Sequence, residues 1–317
     1  MVVAPYGDHW RNLRRISTLE IFSTNRLNMF LGIRRDEVKH LIRNLSRNLG
    51  QDFAKVELKS MFSELTFNII MRMVAGKRYY GYGEYVKDEE EARQFREIIK
   101  EAFANAGMSN PGECVPLLRW IDPGGLEKRL MGLGKKIDAF LEGLIDEKRN
   151  SQEKGNTMID HLLSLQTSQP DYYTDQIIKG LILFHTWPQK IVPLEDMMFQ
   201  VKQFVLVNAW AIHRNPKLWD DATSFKPERF ESGEGDAHKL MPFGIGRRAC
   251  PGAGLAQRTI SLALGSLIQC FEWKRVDEAE VDMAEGNGVT MPKAVPLEAM
   301  CRARPIMNKV LYESVDV

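Results

Sequence analysis

The sequence predicts a mainly α-helical fold with small β hairpins, and three observations carry the prediction. Apolar residues recur three and four apart in successive stretches from Asp8 to Leu183. A glycine-rich loop, Met241–Gly252, runs straight into an apolar stretch of helical length. The one strand read from the residues themselves opens the segment Val205–Pro216. Composition agrees with a packed chain: 317 residues suffice for one large or two ordinary domains, and 44% are hydrophobic and 27% charged.

Asp8 is placed to cap a first helix through Trp10, Leu13, Arg14 and Ile16. Between Asn25 and Leu49, the residues Val38, Leu41, Ile42, Leu45 and Leu49 mark a second. Leu58–Ala75 makes a third, with Met61, Phe62, Leu65, Ile69 and Met73 read as packing and not as a binding box. Asp88–Ala106 is a charged amphipathic helix, with Phe95, Ile98, Ile99 and Phe103 on one face and a solvated run of acids. Pro111–Gly125 reads as a loop. Apolar residues from Leu126 to Ile145 mark a long helix that fades into the polar stretch Asn150–Thr157. A short helix over Met158–Gln166 follows, and another begins after Thr174. Pro188, in Phe184-His-Thr-Trp-Pro188, stops that last helix, because its ring removes an N–H and clashes with the preceding turn. Asn208 is placed to cap a short helix before Pro216. On it, His213 beside Trp210 reads as a packed or hydrogen-bonded histidine and not as a ligand. After the glycine-rich loop, Leu255, Ile260, Leu264, Leu267, Ile268 and Phe271 make an almost uniformly apolar helix, which is expected to be buried.

The chemistry concentrates in Met241-Pro-Phe-Gly-Ile-Gly-Arg-Arg-Ala-Cys-Pro-Gly252. Phe243, Gly246, Arg248, Cys250 and Gly252 fit F-x-x-G-x-R-x-C-x-G, a match expected by chance in roughly one chain of this length in 10⁴. A thiolate at Cys250 can be the axial ligand of haem iron. The glycines let the backbone approach a macrocycle closely. Pro251 suits the first turn of the next helix, so Cys250 is expected at a helix N-terminus, where free N–H groups and the dipole favour a negative sulfur. Arg248 is the candidate partner of a haem propionate, and Phe243 the candidate shield of the sulfur. The plainer reading, a buried structural cysteine in a tight turn, leaves the five-residue match unexplained.

The loop resembles the cysteine-ligand loop of the cytochrome P-450 haem-thiolate monooxygenases, and the chain is similar to the plant microsomal branch that includes isoflavone 2'-hydroxylases. The resemblance covers nearly all of the chain except residues 185–204. It implies one incomplete domain over 1–317, made of a helical part (1–184) up to the start of the central helix, an atypical junction (185–204) and a haem-binding part (205–317). It implies haem, iron protoporphyrin IX, as cofactor, with Cys250 as the axial thiolate. Trp10 and Arg14 match the Trp-x-x-x-Arg pair that reaches the propionates; without the resemblance they read as part of an exposed amphipathic helix with solvated arginines. The implied reaction is an O₂-dependent hydroxylation of a small hydrophobic molecule of flavonoid or isoflavonoid type. Electrons would come from NADPH only indirectly, through NADPH-cytochrome P-450 reductase. Gly288–Leu297 resembles the final hairpin, whose tip can touch substrate.

The expected fold is therefore partial, lacking the N-terminal sheet and anchor region and the central long helix. The family's acid–threonine element for proton delivery has no match, so no catalytic residue is identified. Its Glu-x-x-Arg pair has no match in the right place either, since Glu90–Arg93 lies too early and Glu272–Arg275 follows the haem loop. Arg229, in Phe225-Lys-Pro-Glu-Arg-Phe230, is then expected to lack its buried acid, a costly arrangement. A formal net charge of +1 without a long basic run speaks against nucleic acid as a partner. Four separated cysteines (Cys114, Cys250, Cys270, Cys301) fit a reducing compartment. No run of 18 apolar residues occurs, so no membrane span is expected. The resemblance implies the endoplasmic reticulum membrane, whereas a chain without its own anchor is expected in the cytoplasm. Against the monooxygenase reading stands a non-catalytic fragment, from altered splicing or gene decay, that at most binds haem.

Overall fold

The computed structural model describes residues 6–47, 49, 52–81, 86–105, 125–151, 155–186, 207–231, 239–286 and 292–307. The helices are α1 (Asp8–Arg15), α2 (Thr24–Met29), α3 (Leu31–Arg47), α4 (Leu58–Ala75), α5 (Glu89–Asn105), α6 (Leu126–Asn150), α7 (Met158–Ser168), α8 (Asp175–Thr186), α9 (Ala209–His213) and α10 (Ala253–Cys270). Three short strands accompany them: β1 (Ala54–Glu57), β2 (Phe271–Lys274) and β3 (Glu298–Ala303). The chain divides into two compact units, residues 1–23 with 189–257 and residues 24–188 with 258–317.

The larger unit is a helical bundle with a small sheet. Val38, Leu41, Ile42 and Leu45 of α3 are buried, as are Leu65, Ile69 and Met73 of α4, in pairs spaced for one helix face. Phe95 and Ile99 of α5, Leu141, Leu144 and Ile145 of α6, Ile159 and Leu162 of α7, and Ile178, Leu181 and Ile182 of α8 complete the core. Caps set the bounds. The Glu57 carboxylate accepts the Ser60 N–H at the start of α4, and Gly76, at φ 76°, closes it through a bond to the Arg72 carbonyl. Helix α7 starts at a capping box, in which Thr157 and Asp160 satisfy each other's backbone N–H groups. The sheet is antiparallel in the order β1-β3-β2, with Cys301 of β3 between Ala54 and Trp273.

Several expectations are corrected. The helical signal over 25–49 is two helices, because the chain breaks at buried Phe30 between α2 and α3, and Leu49 lies in a turn beyond α3. Asp8 is the first residue of α1 and not its cap; Gly7 precedes it in extended backbone, and the Asp8 carboxylate is engaged by Arg11. Helix α10 is not buried. Ile260, Leu264 and Ile268 are 58%, 54% and 57% exposed, while Ala263, Leu267 and Cys270 on the adjoining face are buried. An all-apolar helix is covered only where a neighbour packs on it, and the described residues supply one on a single side. Arg229 is not an unpaired buried charge: it is half-exposed, donates to the Asp221 carbonyl at 2.6 Å and lies over Trp219. Glu90 and Arg93 pair with each other on the surface of α5, and Glu272 pairs with Arg302. The expected loop before Gly125, the strand at Val205, the junction from 187 on and the hairpin tip at 288–291 lie outside the described residues.

Candidate metal centre

The candidate site is contained in the smaller unit. Pro242 confines the residue before it to extended backbone. Gly244 and Gly246 then take φ of 68° and 75°, a left-handed conformation that a side chain disfavours. The loop can therefore fold back on itself: Met241 accepts from Gly244 N–H at 3.1 Å, Gly246 from Ala249 N–H at 3.1 Å, and Phe243 from Cys250 N–H at 2.8 Å. The last of these bonds fixes the backbone of the cysteine. Its side chain stays exposed.

Pro251 does not occupy the first turn of α10. It stands two residues ahead of Ala253, and Gly252 takes the capping place, its carbonyl accepting the Ala256 N–H at 3.0 Å. Cys250 still lies just before the helix N-terminus. A Cβ at Gly252 would stand 3.8 Å from the Cys250 sulfur and 3.6 Å from the Phe22 ring.

Helix α1 brings the second half of the constellation. Its Arg14 guanidinium donates to the Ala249 carbonyl, next to the cysteine and 235 positions away in the chain. Burial pushes the Arg14 pKa below its ordinary value, and the charge of the nearby Cys250 opposes that shift. Trp10 is buried, and the Arg248 guanidinium lies over its ring at 4.8 Å. The preceding Arg247 covers Tyr6 at 5.7 Å, while Tyr6 and Trp10 sit 5.2 Å apart. All seven residues singled out in the sequence, Trp10, Arg14, Phe243, Gly246, Arg248, Cys250 and Gly252, thus belong to one unit. The Arg247–Tyr6 contact was not legible, because neither residue belongs to the motif. A further contact also escaped the sequence: His213, at the end of α9, accepts the Met241 N–H on Nε2 at 3.0 Å. The reading of His213 as hydrogen-bonded is supported, but its partner carried no signal.

The donor set constrains what can bind. Among the described residues no cluster of three or more His, Cys, Asp or Glu side chains could hold a metal ion. A single exposed thiol beside two arginines suits a metal that brings its other ligands in a macrocycle. The other two described cysteines offer nothing comparable. Both are buried; burial raises the Cys270 pKa and pushes that of Cys301 up to about 12, so they stay protonated thiols.

Helical architecture and loop together resemble those of metalloproteins in which one protein thiolate completes the coordination of a haem. Comparison with known proteins gives the family. The model of the family described as Cytochrome P450 matches residues 1–186 and 183–297. Cytochrome P450 81Q32 of Catharanthus roseus is 47% identical over 387 positions, covering 99% of this chain and 77% of that protein. The (+)-piperitol/(+)-sesamin synthase CYP81Q2 of Sesamum radiatum is 46% identical, covering 100% and 76%, and the isoflavone 2'-hydroxylase of Glycyrrhiza echinata 44%, covering 97% and 76%. The chain belongs to the cytochrome P450 family. It is an oxidoreductase of the monooxygenase type, and its family uses haem iron reduced through a partner reductase. The alignment with the first relative has 387 positions against 317 residues here, so at least 70 positions face a gap in this chain. The two pieces of the family match meet at 183–186, at the end of α8, which is where the sequence departs from the family's pattern. Among the described residues no helix is long and apolar enough to cross a membrane.

Proposed function

We propose that this chain holds haem through Cys250 as axial thiolate and acts on an isoflavonoid-like secondary metabolite, with NADPH-cytochrome P-450 reductase as electron donor at the endoplasmic reticulum membrane. The observation that carries the reading is the bond from Arg14 to the carbonyl beside Cys250, which joins the two distant halves of the motif set around one exposed sulfur. Haem iron, when bound, supplies the O₂ activation by which one oxygen atom enters a C–H bond and the other leaves as water, at the expense of two electrons and two protons. The chain's residues do the rest. Cys250 donates the thiolate, and Gly246 and Gly252 allow close approach of the backbone. Trp10, Arg14 and Arg248 would hold the propionates, and the Phe243 ring would shield the sulfur. The isoflavonoid class rests on the relatives whose names specify isoflavones. One domain over 1–317, with an atypical junction at 185–204, is the organisation this reading requires.

A second reading, a chain that binds haem without useful turnover, rests on the lack of any match in the sequence to the family's acid–threonine element for proton delivery. Incubating the haem-loaded chain with reductase, NADPH and isoflavones, beside a Cys250→Ala control, tests both. The first reading expects hydroxylated product that depends on Cys250. Haem retention with no Cys250-dependent product leaves the second.

A further inference from the structure

We infer that His213 is a positioning residue for the ligand loop: by accepting the Met241 N–H it anchors the start of the loop and so holds Cys250 in register for a metal. The inference rests on the reading of Cys250 as the ligand. Met241 is followed by Pro242, so its backbone is held extended and its N–H cannot enter a helix. A part-buried N–H of this kind needs an acceptor, and the described residue that supplies one is His213, 28 positions earlier in the chain. The acceptor is itself well placed. His213 ends α9, a helix started by Asn208, whose side chain accepts the Ala211 N–H at 2.9 Å, and it stands next to Arg214, which lies over Trp210 at 4.5 Å. The covalent path from His213 to the loop instead passes through the turns around Asn215 and Asp221. The imidazole bond therefore closes a ring that the backbone alone would leave long.

The bond leads directly to the cysteine. Met241 receives the Gly244 N–H on its carbonyl, and Phe243, inside that turn, receives the Cys250 N–H. Three consecutive hydrogen bonds thus connect the imidazole to the backbone of the candidate ligand. The accepting Nε2 must carry no proton, so His213 acts here as the Nδ1–H tautomer. No contact with a cofactor is required of it.

Hydrogen exchange and the ferrous carbonyl spectrum of the full chain test the inference together. In the wild-type protein the Met241 amide, although outside any helix, should exchange more slowly than an unprotected amide. In His213→Ala the amides of Met241 and 243–250 should exchange roughly threefold to tenfold faster, the fold-change of one net hydrogen bond, while those of α3 remain unchanged. At equal haem content, the red-shifted carbonyl band of a thiolate should give way in part to the shorter-wavelength band of a neutral ligand. His213→Gln, whose amide oxygen reaches the same place, should restore both readouts. An unprotected Met241 amide in the wild-type protein overturns the inference even if the alanine variant fails to fold. So does a glutamine variant no better than alanine, or an alanine variant with wild-type exchange and band ratio. Cys250→Ala separates the two levels: if it keeps the red-shifted band, the ligand assignment fails, whereas its loss beside an unaffected His213→Ala removes only the role of His213.

Discussion

Glu37, 2% exposed, receives Arg72 at 2.6 Å and Arg78 at 2.6 Å, so two helices and the segment after α4 converge on one carboxylate. Removing its charge leaves two guanidinium groups facing a neutral amide in a dry site. Glu37→Gln is expected to destabilise the protein by roughly 3 kcal/mol, the low end for a broken buried pair, because Arg72 keeps Asp36 at 3.1 Å. Denaturant unfolding measures it. Arg34, 1% exposed, is the opposite case: it bonds the Leu27 carbonyl at 2.8 Å, but its Nε and Nη1 have no partner among the described residues. Arg34→Met keeps the aliphatic stem and removes the buried charge, so its unfolding free energy should equal or exceed that of the wild type. His40 adds a pH dependence. Burial first, then the Arg78 charge, hold its imidazole below the ordinary 6.5. The unfolded chain accordingly takes up a proton near 6.5 that the folded chain refuses until lower pH, and stability present above that value is lost as pH falls towards the folded pKa. Comparing unfolding of wild type and His40→Gln at about pH 7.5 and 5.5 should show a smaller loss in the variant.

At the scale of elements, legibility followed what local residues decide. The bounds of α4, α5 and α7 were readable to within about two residues, and Glu57, Asp88, Gly76 and Thr157 fix them locally. The widened turn Ile16–Ile21 after α1 was not, since it depends on Ser17 and Thr18 hydroxyls bonding back to the Leu13 and Arg14 carbonyls. Helix α10 shows the limit from the other side: an apolar sequence reports what a helix can face, while burial also needs the facing element. Replacing Leu264 and Ile268 by Gln should therefore change stability by no more than about 0.5 kcal/mol each, as for surface positions. The same pair should lower the binding of a hydrophobic dye. A loss of several kcal/mol would show that this face is covered in solution.

For the whole molecule, the membership of the family was readable because five residues of one loop and two of α1 fit the family's sequence pattern. The break at 183–186, where the two pieces of the family match meet, was readable only as a departure, since missing positions leave no residues to interpret. Its consequence is catalytic. Assistance by a positioned acid or base is typically worth about 10² to 10⁴ in rate, and the sequence offers no match to the family's acid and threonine. Turnover should accordingly fall below that of an intact relative by about that factor, with most NADPH consumption recovered as hydrogen peroxide. Parallel assay of NADPH, peroxide and hydroxylated product measures the coupling. Product equal to NADPH consumed would require a proton relay elsewhere in this chain.

Cys250, set by the Phe243 backbone bond and flanked by Arg14 and Arg248, is the proposed haem ligand of this chain. The ferrous carbonyl difference spectrum of the haem-reconstituted chain tests it most directly. The account predicts the red-shifted band of a thiolate-ligated iron in the wild-type protein and its disappearance in Cys250→Ala. A variant that retains the band, or a wild-type chain that takes up haem and shows only the shorter-wavelength band, would contradict it.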